Sequence, residues 1–146
     1  MARARTQLLT KQITAPSDLK RPWHIVDAKG QILGRVAVQV ADLLQGRRKA
    51  TWTHMQDVGD HVVVINISEI RVSGRKAVNK KYYHHTTYPG HLKVATYQEM
   101  MAKKPTEVMR HAVYGMLPDN RLKKTMLRRL HLFAADKHPF AKHFSK

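Results

Sequence analysis

The chain contains no cysteine among its 146 residues. That excludes a disulfide framework, a thiolate nucleophile and a sulfur-based zinc site, so stability has to come from packing or from a partner. Acidic residues are scarce as well: 10 Asp and Glu stand against 27 Lys and Arg, leaving a formal charge of +17. A field of that sign attracts polyanions and repels other copies of the chain. No apolar run approaches the ~18 residues of a membrane span, and no segment pairs a basic face with exposed Trp, Phe or Leu as an interfacial helix would. The sequence has no internal repeat, no G-x-S-x-G elbow, no phosphate loop, no dinucleotide fingerprint and no HExxH. The common catalytic signatures are therefore missing.

What is present is enough for one domain. Hydrophobic residues make up 42% of the chain, ordinary for a globular protein of this length. "WHIVDA" from Trp23 is a short apolar run closed by Asp27 and Gly30, and predicts a buried strand. In "ILGRVAVQVADLLQG" the residues Leu33, Val36, Ala37, Val40, Ala41 and Leu44 recur at helical spacing, and Gly46 supplies the stop. "HVVVINI", His61 to Ile67, is β-branched without alternation, the pattern of a strand covered on both faces in a parallel sheet. Strand, helix and strand in this order predict a right-handed crossover unit. Ile70 and Val72 alternate with Arg71 before Ser73-Gly74, a short half-buried strand and turn, and "KYYHHT" is a further β-prone run.

The second half reads as mostly helical. Thr96 and Glu99 form a capping box for "YQEMMAKK", and Pro105 stands where a new helix begins. Pro118 ends that helix, Asp119 or Asn120 caps the next, and Leu122, Met126 and Leu130 form its buried stripe. "LHLFA" is a candidate last strand. The expected organisation is a basic N-terminal arm over 1–21, a globular domain over 22–134 and a basic tail over 135–146, the tail showing neither helical nor strand period.

The densest chemistry lies in "KKYYHHTTYPGHLK", Lys80 to Lys93. A metal site fits poorly, because neighbouring His84 and His85 on a strand point to opposite faces and no carboxylate lies between Glu69 and Glu99. Asp57 and Asp60 around Val58-Gly59 could serve as an acid/base pair, but Asp and Gly at the start of a strand read more simply as a turn. Nucleic acid accounts for the stretch as a unit. Lys80, Lys81 and Lys93 bracket it for phosphate, and Tyr82, Tyr83, His84, His85 and Tyr88 offer rings for stacking, with about half of them expected to face the core. Arg75 and Lys76 precede it, and two more basic clusters stand apart: Arg47, Arg48 and Lys49, and the helix bearing Arg121, Lys123, Lys124, Arg128 and Arg129. A charge run is often only a solvated surface, but at this net charge a compensating polyanion is the better explanation. From Ser73 onward there are 16 Lys and Arg against 4 acids, and before it 11 against 6, so most of the grip is expected from the second half.

Several segments in order, "WHIVDAKGQILGRVA", "GDHVVVIN", "VSGRK", "KKYYHHTTYPG" and "VYGMLPDNRLKKTMLRRLHLFA", resemble the large-subunit ribosomal protein family numbered thirteen, in its bacterial or organellar form. The resemblance runs from about Pro22 to Ala134 and is most specific at Gly115 to Pro118 and at Arg129-Leu130. It implies an α/β fold of three α/β/α layers around a four-stranded parallel sheet. It also implies direct binding to large-subunit rRNA, a role early in subunit assembly, neighbouring ribosomal proteins as partners, and no enzymatic activity. No cofactor, small-molecule substrate or membrane is expected. The expected place is a cytoplasmic ribosome of bacterial type, with a mitochondrial or plastid ribosome still open. The alternative from another class is a free RNA-binding regulator or an RNA-modifying enzyme with a basic surface.

Overall fold

The computed structural model describes Leu19 and residues 21–144; the basic arm expected over 1–21 otherwise lies outside the described residues. Strand β1, Trp23–Asp27, leads through helix α1, Leu33–Gln45, to strand β2, His61–Ile65. The helix forms where the apolar spacing predicts it, with Leu33, Val36, Ala37, Val40, Ala41 and Leu44 all buried. It stops at Gly46, whose φ of 72° is left-handed, and the Gly46 N–H donates to the carbonyls of Asp42 and Leu43.

Strand β2 is the centre of the sheet. It pairs in parallel with β1 on one side and with β5, Leu130–Leu132, on the other. Val62 to Ile65 are all buried, as their unbroken β-branched run requires. The strand ends two residues earlier than its pattern predicts, because Asn66 takes a left-handed φ of 56° and a 3-10 turn, Ile67–Glu69, follows.

Among the described residues the parallel sheet has three strands, not the expected four. The two leftover β-prone runs go elsewhere. Ile70 to Val72 contributes one parallel bridge, Arg71 to Ile32. "KYYHH" becomes β3, Lys81–His85, which pairs antiparallel with β4, Leu92–Thr96, as a separate hairpin. The reason lies in its composition. A strand carrying lysine, tyrosine and histidine on alternate positions cannot be covered on both faces, and an antiparallel pair can leave one face in water.

Between sheet and hairpin lies the short helix α2, Lys76–Asn79. After the hairpin come α3, Tyr97–Lys103; α4, Pro105–Met116; and α5, Lys123–Arg128. The Thr96–Glu99 capping box is fully formed, and Pro105 occupies the first turn of α4. The N-cap position of α5 is Leu122, not the expected Asp119 or Asn120, but Asn120 Oδ1 in the preceding turn accepts the Lys123 N–H at 3.1 Å.

One buried cluster joins α1, α4, Tyr97, Met126 and Leu130 to Val62 and Val64 of the sheet. Because side chains alternate along a strand, Val63 faces the other way. The register puts it beside Ile25 and His131, on the same side as Trp23 and His61. There the C-terminal segment, far from being featureless, forms a 3-10 turn over Pro139–His143. Trp23 stacks on His61 at 4.4 Å, His131 at 5.3 Å, Phe140 at 5.0 Å and His143 at 4.3 Å.

Candidate nucleic-acid interface

The basic residues singled out by sequence divide into those the fold turns inward and those it leaves in water. Arg129 is inward. Its side chain is 5% exposed and forms an ion pair through both terminal nitrogens with the Asp57 carboxylate, while Nη2 also donates to the Leu44 carbonyl at 3.2 Å. The guanidinium thereby satisfies a carbonyl at the end of α1, where a cation is favoured. Lys123 is inward too, 7% exposed, with Nζ 3.5 Å from the Tyr114 ring centroid and 3.4 Å from Asp119 Oδ1. Neither charge is presented to solvent, so the expectation that these two grip a partner does not fit their burial.

The 47–49 run splits in the same way. Lys49 turns in, donating to the Val58 carbonyl at 2.8 Å and pairing with the buried Asp60 carboxylate. His24 Nε2 meets the other Asp60 oxygen at 3.0 Å. Arg47 is about half exposed, bonded to Gln45 Oε1 at 2.9 Å and lying 5.8 Å from the Trp52 ring centroid. Arg48 is exposed on the rim of an open cleft of about 400 Å³ along β1 that also holds Asp27 and Asp60.

Asp57 and Asp60 are thus accounted for by different cations, Arg129 and Arg21 for the first, Lys49 and His24 for the second. They are the electrostatic lining of a tight turn rather than an acid/base pair. Gly59 between them has no room for a side chain, since a Cβ there would stand 1.7 Å from the Leu44 carbonyl oxygen.

The remaining cations are presented outward. Arg75 and Lys76 at α2 are exposed, and Lys80 is half-buried with its Nζ 5.4 Å from the Tyr82 ring centroid. Lys76 and Lys80 border a cleft of about 360 Å³ with Gly34, Ser73, His111 and Met116. Lys81, Tyr83, His84, His85, Tyr88 and Lys93 are all exposed on the hairpin. Arg121, Lys124 and Arg128 are exposed around α5.

Tyr82 is the ring of the hairpin that faces the core; its hydroxyl is buried and its ring centre lies 5.7 Å from that of His111. Burial, and to a lesser degree neighbouring Tyr97, push its hydroxyl pKa above the usual 10.0, so it stays protonated. His84 and His85 lie on opposite faces of β3, opposite Lys93 and Leu92 respectively. Sequence reasoning missed Leu92 and Val94, which are half exposed beside these rings. The signal was available in "HLKVAT", whose alternation marks the strand that pairs with "KYYHH".

The profile of the family described as Ribosomal protein L13 matches residues 21–139. The chain belongs to the ribosomal protein L13 family. Among L13-family relatives, the large ribosomal subunit protein uL13 of Clostridioides difficile is 48% identical over 129 residues, covering 88% of this chain and 90% of its own length. Those of Rubrobacter xylanophilus and Symbiobacterium thermophilum are each 44% identical over 126 residues, covering 86% of this chain and 88% of their own. L13 is a structural component of the large subunit, and this member of the family is not an enzyme. No helix among the described residues is long and apolar enough to cross a membrane.

Proposed function

We propose that this L13-family chain binds large-subunit rRNA directly, as a structural constituent of the large ribosomal subunit, and supports its assembly at an early stage. The docking residues are Arg47, Arg48, Arg75, Lys76, Lys80, Lys81, Tyr83, His84, His85, Tyr88, Lys93, Arg121, Lys124 and Arg128. Arg129, Lys123 and Lys49 serve the fold instead. The observation that carries this reading is the stretch from residue 70 to 98, which contains no Asp or Glu and whose cations and rings are mostly exposed. Affinity then comes chiefly from counterion release and falls steeply with salt, while RNA shape and unpaired bases supply specificity.

The partners are rRNA and neighbouring ribosomal proteins, with no small-molecule substrate, and the compartment is the cytoplasm of a cell with bacterial-type ribosomes. The globular part over 22–134 carries the grip, preceded by the arm of 1–21, and the tail of 135–146 returns to it through the turn Pro139–His143 stacked on Trp23. The three-layer arrangement follows if the C-terminal turn and its ring stack on Trp23 form the layer opposite α1 and α4.

Sedimentation of native extract through sucrose gradients at low and high salt tests the proposal. One copy per large subunit at low salt, with release increasing as salt rises, is the expected result. Recovery mainly in the free fractions at both salts would overturn the structural role in favour of a free regulator.

A further inference from the structure

We propose that the outward face of the β3–β4 hairpin is a platform for unpaired nucleotides, with bases stacking on Tyr83 and His85 and sugars or further bases packing on Leu92 and Val94. This inference rests on the RNA-docking reading above and names the part of the RNA that the hairpin takes.

The register decides which side chains share that face. Tyr83 lies opposite Val94, His85 opposite Leu92 and Lys81 opposite Thr96. Alternation along each strand therefore gathers Lys81, Tyr83, His85, Leu92 and Val94 on one side and sends Tyr82 and Ala95 to the other. Tyr82 packs against the core, which fixes the first side as outward. Exposure agrees: Tyr83 is 65% exposed, Leu92 54% and Val94 49%. At the tip Tyr88 is 70% exposed, just before Pro89 and the left-handed Gly90.

The platform is held firmly. Lys80 at its base accepts a hydrogen bond from the Tyr97 N–H at 2.9 Å, and Tyr97 itself is buried in the core. Five strand pairs and the Thr86–His91 hydrogen bonds close the hairpin.

A tyrosine, a leucine and a valine side by side on a solvent face form a patch that calls for a covering partner. The charge around it identifies the partner. Lys81 is on the face, Lys80 and Lys93 add positive charge from the opposite side of the same hairpin, and no carboxylate occurs between Glu69 and Glu99. The occupant must therefore be flat, partly apolar and anionic. An unpaired nucleotide combines a base face with a phosphate, whereas a paired A-form helix keeps its base faces inside the stack. Tyr83 and His85 are two residues apart on one strand, about 7 Å, so each ring has room for its own base.

The test uses the full chain with protein-free large-subunit rRNA, rRNA fragments containing unpaired loops, and a fully paired RNA duplex as probes. Y83A should bind the loop-containing fragments roughly 5- to 150-fold more weakly, with an unchanged slope of log affinity against log salt. Y83F, which keeps the ring, should bind like the wild type, and the double variant L92S/V94S should show a smaller loss. Binding to the paired duplex should not change in any of them. Thermal unfolding of each variant verifies the fold, and L92S/V94S provides an independent reading if Y83A is unstable. Wild-type affinity in both folded Y83A and L92S/V94S overturns the inference and leaves the RNA-docking reading intact. If those variants also fail to enter subunits stoichiometrically, the face belongs to a neighbouring protein instead. Failure of the wild type to bind any rRNA overturns the RNA-docking reading itself.

Discussion

Two basic regions of the molecule use the same residue types for opposite ends. At the corner where α1 ends, Arg129 and Lys49 are drawn inward onto Asp57 and Asp60, and their charges are cancelled inside the protein. On α2 and the hairpin, Arg75, Lys76, Lys81 and Lys93 stand in water along a stretch with no acid in it. The difference lies in the supply of carboxylates, not in the cations. Where a buried acid is near, a cation is drawn into the fold; where no acid is near, its field reaches outward and is available to a polyanion.

The sharpest way to break this comparison is Arg129→Ala. It leaves Asp57 without its main partner and the Leu44 carbonyl without a donor, and should cost on the order of 3–5 kcal/mol. Urea or thermal unfolding measures the loss. An equally stable variant would mean that the corner is not what anchors α1 to β5. Lys123→Ala comes next, at about 1–2 kcal/mol for the lost contact over Tyr114. It should leave the salt dependence of RNA binding untouched, and a flatter slope would return Lys123 to the RNA-facing set.

A pH effect of intermediate size is expected from the ring stack. Burial, then the charges of Arg129, His131 and Arg21, hold His61 below its ordinary 6.5, and burial does the same to His131. A histidine with a depressed pKa is neutral in the fold while the unfolded chain still takes up a proton near 6.5. Its contribution is therefore complete above that pH and is lost as pH falls from 6.5 through the lower folded values. The melting temperature should be level above neutrality and decline in the acid range, and His131→Phe should shrink that decline.

The smallest effect on stability belongs to the exposed set. Lys81→Ala should change stability by less than about 0.5 kcal/mol. It should also reduce the slope of log affinity against log salt by about 0.7 to 0.9, as expected when one phosphate contact is lost. An unchanged slope with unchanged affinity would remove Lys81 from the interface.

Much of the architecture was legible in the residues. The spacing of Leu33 to Leu44, the stop at Gly46, the Thr96–Glu99 cap and Pro105 all act locally, within a turn or two of chain, so pattern and position suffice to read them. The sheet was less legible. "KYYHHT" reads as a strand from its composition, but whether it extends the parallel sheet or pairs with "LKVAT" depends on which partner can leave its polar face wet. The candidate interface could be read as a set of cations and rings, whereas the directions in which they point could not.

By itself, the sequence determined that the chain is strongly cationic, that its acids are absent from residues 70–98, and that one unbroken valine run must be buried on both faces. These are properties of composition and of short-range pattern, and they persist in any fold the chain adopts. Only the tertiary structure decided that Lys49, Lys123 and Arg129 turn inward while Arg75, Lys76 and Lys81 do not. Asp57 lies 72 residues from Arg129 along the chain. A charge pair over that separation exists only once α1, the 57–60 turn and β5 have been brought together by the packing around Val62 and Val64.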